Sequence, residues 1–99
     1  MRIQVLEEAL VDLGQGFRFY ESQEAGLGAY FLEQLFLDID SLRNSAGIHP
    51  LTFSHHRALS KRFPFAIYYS VKGEFVRVHA VMDCRRKPSR IRNRLKEGS

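Results

Sequence analysis

This 99-residue sequence is expected to adopt an α+β fold. The expected architecture is a mainly antiparallel sheet of about four strands, with an N-terminal helical hairpin packed on one face. Three observations predict it. Apolar residues recur every three or four positions as far as about residue 45. From about residue 55 the period falls to two, and β-branched and aromatic residues dominate. Between the two helical stretches, Ala25-Gly26-Leu27-Gly28 gives a short turn, which makes its neighbours antiparallel.

The elements follow in order. Arg2-Ile3-Gln4-Val5 alternates and reads as an edge strand. Leu6, Ala9, Leu10, Leu13, Phe17 and Tyr20 then form one stripe on a helix of about 7–24. Gly14 and Gly16 lie inside it, each unfavourable by up to about 1 kcal/mol relative to Ala. A second stripe, Leu32, Leu35, Phe36, Ile39 and Leu42, falls in a helix of about 28–45. The acids of both helices are expected on their outer faces.

Residues 44–50 read as a loop, and 56–61 as a strand with polar residues on both faces. FPFAIYYSV (63–71) is a further strand with Pro64 confined to its start. Lys72-Gly73-Glu74 is a hairpin turn. In the run from Phe75 to Met82, strict alternation places Val76, Val78, Ala80 and Met82 toward the helices. Phe75, Arg77, His79, Val81, Asp83 and Arg85 fall on the opposite, open face. Cys84 falls inward with Met82 and reads as a small buried hydrophobe. Ser89–Lys96 forms a last helix anchored by Ile91 and Leu95, with Gly98 beyond its end.

The length fits a single domain over residues 1–99. An apolar fraction of 44% and a charged fraction of 26% place the chain among soluble globular proteins. No apolar run approaches the ~20 residues of a membrane-spanning helix. Glu7 and Glu8 stand where a secretory signal would be apolar. The lone Cys84 excludes an internal disulfide. A cytoplasmic protein is expected. The net charge of +4 is divided unevenly. Residues 1–45 carry three Arg against eight acids, a net of −5, and residues 46–99 carry twelve Lys or Arg against three acids, a net of +9. Such a division favours an anionic partner, either nucleic acid or an acidic protein segment.

The residues that carry chemistry lie in the basic half. Arg suits bidentate capture of phosphate or carboxylate, and aromatics lie among the cations in sequence. Each of Phe63, Phe65, Tyr68, Tyr69 and Phe75, taken singly, reads more readily as core than as a base-stacking platform. No HxH or HxxxH spacing occurs, so no metal is expected, and no phosphate-cradling Gly-rich loop is present. His79 and Asp83 would flank a substrate from one face about 13 Å apart, at ~3.3 Å per residue.

The segment HRALSKRFPFAIYYSVKGEFVRVHAVMDCRRKP resembles the C-terminal half of small toxins of the RelE/ParE superfamily. The resemblance rests on Arg57, RFPFAIYY (62–69) and AVMDCRRKP (80–88). YESQEAGLGAYFLEQL (20–35) is similar to the helical hairpin of the plasmid-stabilisation branch. The resemblance implies a RelE/ParE-like fold and the toxin of a type II toxin–antitoxin system, without cofactors. It implies an acidic antitoxin as cognate partner in a hetero-oligomer. The target would be DNA gyrase for a ParE-like member, or ribosome-bound mRNA for a RelE-like endonuclease. For cleavage, Asp83 or His79 would be the base, and Arg57, Lys61, Arg85 and Arg86 would stabilise the charged phosphorane. Asp83 stands where members near this branch often have His, and no Tyr follows Tyr69 to match the C-terminal Tyr of some mRNA-cleaving members. Both departures favour gyrase inhibition over cleavage. A non-toxic nucleic-acid-binding domain is the remaining alternative.

Overall fold

The computed structural model describes residues 1–97. Gly98, expected beyond the last helix, lies outside the described residues. The elements are β1 (Arg2–Val5), α1 (Glu7–Gln23), α2 (Leu27–Asp40), α3 (Leu42–Ser45), β2 (Leu51–Thr52), β3 (His55–Leu59), β4 (Phe65–Lys72), β5 (Phe75–Asp83) and α4 (Pro88–Glu97). The sheet has five strands in the order β1-β5-β4-β3-β2, one more than expected. It is antiparallel except that β1 pairs in parallel with β5, Arg2 opposite Phe75 and Val5 opposite Val78.

Helices α1 and α2 form the expected hairpin on one sheet face. Leu13, Phe31, Leu35 and Ile39 pack there against Ile67, Tyr69, Val76, Val78 and Val81. Burying each large side chain contributes about 1.5–3 kcal/mol. The helical stripes are displaced from expectation. Leu10 and Phe36 are exposed, whereas Phe31 is fully buried. The glycines explain how the two helices approach. A Cβ at Gly16 would stand 2.5 Å from the Phe31 ring, and one at Gly28 2.7 Å from the Phe17 carbonyl oxygen. Their helix-weakening cost thus permits a close crossing. Gly26, at φ 89°, opens α2 in the left-handed region. The Glu21 carboxylate accepts the backbone N–H groups of Gly26 and Gly28 and so caps that end.

The expected second helix breaks at Ser41, whose hydroxyl turns back to donate to the Asp38 carbonyl at 2.6 Å. The strand expected over 56–61 is β3, ending at Leu59, so Lys61 stands in the loop beyond it. A two-residue turn joins β2 to β3. Both its residues have positive φ, 52° at Phe53 and 64° at Ser54, as a type I′ hairpin requires.

Two expectations about the sheet faces are corrected. The second face is not open, because α4 lies across it, with Ile91 and Leu95 packed on Ala66, Tyr68, Ala80 and Met82. Nor does β5 alternate strictly. Tyr68 of β4 is opposite Ala80, while Tyr69 is opposite Val78, so His79 is an extra residue in β5. This bulge reverses the phase of everything after it. Val76 and Val78 face the helical hairpin, as expected, but Ala80 and Met82 face α4. Val81 and Asp83 turn to the hairpin side. Cys84 does pack with Met82, though on the α4 side.

Candidate functional site

The six sequence-predicted residues fall in three places. Asp83, Arg85 and Arg86 lie together in a cleft of about 370 Å³ between the end of β5 and α1. Phe19, Phe65, Val81 and Gly16 also line it, with Asp12 and Gln15 of α1. Arg57 and His79 lie on the other face of the sheet. Lys61 is exposed in the β3–β4 loop, at the end of α2. His79 and Asp83 therefore do not share a face, because the bulge at His79 reverses the phase between them.

In the cleft, Asp83 is opposite Phe65 of β4. Its carboxylate accepts the backbone N–H of Arg85 at 2.8 Å and both arms of the Arg85 guanidinium, Nε at 2.9 Å and Nη2 at 2.5 Å. These hydrogen bonds hold the Asp83 carboxyl below the usual carboxylate range, against a smaller opposing effect of burial. An anion so stabilised is a weak base. Burial, and then the Asp83 charge, push the Tyr20 phenol up. Arg86 makes no ion pair among the described residues and lines the cleft mouth. The cleft thus presents an apolar floor with one paired and one unpaired guanidinium.

One member of its lining is a group that the sequence did not reveal. Asp12 is not on the outer face of α1 but buried, at 8% exposure. Strand β1 covers β5 only at residues 75–78, so the edge of β5 beyond them lacks a strand partner. Asp12 Oδ2 accepts the Val81 N–H there at 3.0 Å. The same carboxylate takes a bidentate pair from Arg94 of α4, at 2.7 and 2.8 Å. One side chain thereby ties α1, β5 and α4 together. Only the placement of Asp12 three residues after Ala9 and four before Gly16 hinted at it.

On the α4 face, Arg57 Nε donates to the Tyr68 hydroxyl at 3.2 Å. His79 Nε2 is 2.7 Å from the Ser70 hydroxyl, and its ring packs edge-on against His55 at 4.6 Å between centroids. Burial foremost, then the charges of His55 and Arg77, hold the His79 imidazole below its ordinary pKa, and Glu8 opposes them. The His79 Nδ1 is buried and has no hydrogen-bond partner among the described residues.

Of the aromatics among the cations, Phe63 packs against the core as favoured from sequence, whereas Phe75, also expected there, is exposed at the start of β5. Phe65, Tyr68 and Tyr69 are buried. The Tyr69 hydroxyl accepts the Gly47 N–H at 3.0 Å and meets His49 Nδ1 at 2.5 Å, pinning that loop. Lys61 contributes its backbone N–H, at 3.3 Å, to Asp38, which also accepts the Ser60 hydroxyl at 2.7 Å. Among the described residues no group of three or more His, Cys, Asp or Glu is placed to hold a metal ion. No described helix is long and apolar enough to cross a membrane.

No protein-family model and no curated protein matches this chain. Among solved structures, the chain is similar to one described as the chromosomal ParDE TA system from P. aeruginosa, with a TM-score of 0.74 and 17% sequence identity. The likeness covers 84% of this chain and 95% of that one. It establishes a common fold, the RelE/ParE-like α+β fold that the sequence resemblance implied.

Proposed function

We propose that this chain is the toxin of a type II toxin–antitoxin system, neutralised in the cytoplasm by an acidic antitoxin, and that it arrests growth by ParE-like inhibition of DNA gyrase. The observation that carries the proposal is the fold shared with the ParDE structure across nearly the whole of that chain. The cleft beside Asp83 supports the choice of partner. An amphipathic acidic segment would set apolar side chains on Phe19 and Val81 and carboxylates on Arg85 and Arg86. The scatter of the candidate residues supports gyrase over RNA. Asp83 is held as an ion by Arg85, while His79 and Arg57 stand on the opposite face, so no general base accompanies the Arg85–Arg86 pair.

Ribosome-dependent mRNA cleavage is the second reading. The His79 imidazole, set against the Ser70 hydroxyl with burial disfavouring its charged form, favours it.

Induced expression in a bacterium, with and without the neighbouring gene, tests the proposal. Growth arrest relieved by the neighbour is expected, and undisturbed growth would refute it in favour of a non-toxic domain. Loss of DNA supercoiling identifies gyrase, whereas new mRNA ends identify cleavage and overturn the gyrase reading. Replacing both Arg85 and Arg86 by Ala should abolish the arrest while leaving the thermal midpoint nearly unchanged, because both side chains are exposed. Undiminished toxicity would remove the cleft from the mechanism.

A further inference from the structure

The outer face of the helical hairpin carries a stripe that is left to solvent. Glu7, Val11, Gly14 and Arg18 recur at i, i+4, i+7 and i+11, on the side of α1 opposite the buried Ala9, Leu13, Gly16 and Tyr20. Leu10 flanks the stripe on the side of α2. The close approach of Gly16 to Phe31 and of Gly28 to Phe17 sets an antiparallel register that brings Phe36 to the level of Leu10. Leu10, Val11 and Phe36 are 49%, 52% and 43% exposed. Apolar side chains grouped in this way on a surface mark an interaction site. Gly14 differs from Gly16 and Gly28. A Cβ there would meet nothing nearer than Arg18 Nη1 at 3.6 Å, so no close contact within the chain requires the glycine. Opposite charges stand at the two ends of the stripe. Glu7 and Arg18 are about 17 Å apart along the helix axis at ~1.5 Å per residue. Both are exposed, and neither makes an ion pair among the described residues.

We propose that this face is a homodimer interface, covered by the same face of a second copy of the chain. The charge pattern selects a second copy as the occupant. A twofold axis crossing α1 midway between Val11 and Gly14 sets the two α1 helices antiparallel. It brings Glu7 opposite the partner's Arg18 and Arg18 opposite the partner's Glu7, so both end charges are paired. The same operation lays Val11 over the partner's Gly14, where the missing side chain leaves a seat for it and lets the helices approach closely. A uniformly acidic partner would oppose Glu7, and a uniformly basic one would oppose Arg18. Helix α2 stacks on the partner's α2, and Leu10 and Phe36 of each copy are covered within a four-helix layer. Helix α1 is about 25 Å long and the hairpin about 20 Å wide, so the contact buries on the order of 1,000 Å² in total. That is the low end for a specific interface and suits a reversible dimer. None of these residues lines the cleft beside Asp83, so the dimer is independent of the toxin reading and leaves that cleft accessible.

Sedimentation equilibrium of the purified chain over a range of concentrations is the test, and a monomer–dimer equilibrium is expected. Glu7→Arg and Arg18→Glu are exposed changes, and circular dichroism checks that each variant keeps the fold. Each alone should weaken the dimer by about tenfold, because two ion pairs per dimer become like-charge contacts. The double variant carrying both changes restores the two pairs with their charges exchanged. Its dissociation constant should return to within about threefold of the parent. Gly14→Leu fills the seat of the partner's Val11 and should weaken the dimer by about tenfold or more. A chain that stays monomeric into the millimolar range overturns the proposal. So does a dimer indifferent to the single reversals, or one that the double reversal fails to restore. A dimer lost only when Arg85 and Arg86 are both replaced by Ala places the contact at the cleft and overturns this face. Because the mass of the isolated chain is read, failure here leaves the growth-arrest result untouched, and the reverse holds.

Discussion

Asp12 offers the sharpest test of how the molecule is held together. Its carboxylate is buried at 8% exposure and accepts the Val81 N–H and two Arg94 nitrogens, and Arg94 itself is 24% exposed. Asp12→Ala removes all three bonds at once. The orphaned Val81 N–H costs about 1–3 kcal/mol, and removal of one partner of a buried pair costs about 3–5 kcal/mol in total. Arg94 keeps some access to water, so the lower end applies, about 3 kcal/mol. Arg94→Ala leaves a buried carboxylate with a single donor and should cost a similar amount. Asp12→Asn keeps an acceptor for Val81 and should cost less, about 1–2 kcal/mol. Urea denaturation reads the difference. With a slope near 2 kcal/mol/M, a loss of about 3 kcal/mol lowers the midpoint by about 1.5 M. A domain of this size holds about 5–15 kcal/mol in all, so the effect is large. An Asp12→Ala midpoint within experimental error of the parent would refute the reasoning. So would an Asp12→Asn loss as large as that of Asp12→Ala.

Two glycine changes should have opposite signs in the same assay. Gly28→Ala sets a methyl 2.7 Å from the Phe17 carbonyl oxygen and should cost about 1–3 kcal/mol, whereas Gly14→Ala meets only Arg18 Nη1 at 3.6 Å and should gain about 0.5–1 kcal/mol. Destabilisation by both would contradict the close-crossing account of α1 and α2. His79 predicts a pH dependence. Its folded pKa lies below the ordinary 6.5, so the unfolded chain takes up this proton first. Stability from this group is complete above 6.5 and declines as pH falls through 6.5 toward the folded value. His55 and Arg77 face the ring and lower that value, Glu8 raises it, and Ser70 holds Nε2. His79→Gln should flatten the decline in urea midpoint between about pH 7 and about pH 5, and an unchanged slope would exclude His79 as its source.

Much of the fold was legible because periodicity is a backbone property. The helical hairpin, the β4–β5 hairpin and the last helix on Ile91 and Leu95 follow from it. What failed were features set by a single tertiary event. Nothing in VRVHAVM marks His79 as a bulge, yet that one extra residue moves Val81, Asp83 and Arg85 to the other side of the sheet from where alternation places them. Asp12 reads as a surface acid, because its two partners lie 69 and 82 residues away. Phe36 and Phe31 lie five residues apart and so on different faces of α2, which is apolar most of the way round; Phe31 shares the buried stripe of Leu35 and Ile39. Asp83, Arg85 and Arg86, near neighbours in sequence, stay together in one cleft. The separation of the candidate site residues into three places was hidden, since it depends on the bulge and on β3 ending at Leu59 rather than Lys61.

The parallel pairing of β1 with β5 also bears on how the chain comes to be folded. Arg2 finds its strand partner only at Phe75, and neither partner of Asp12 exists until residues 81 and 94 have been made. Loops of that length close slowly, and their entropy must be lost before any contact rewards it. A ribosome that has delivered only the first four strands has released the helical hairpin and the outer half of the sheet. The sheet then lacks its central partner for β4, and a charged carboxylate on α1 has nothing to bind. Completion waits for the last quarter of the sequence, so an interrupted synthesis yields an unassembled chain rather than a shortened, working one.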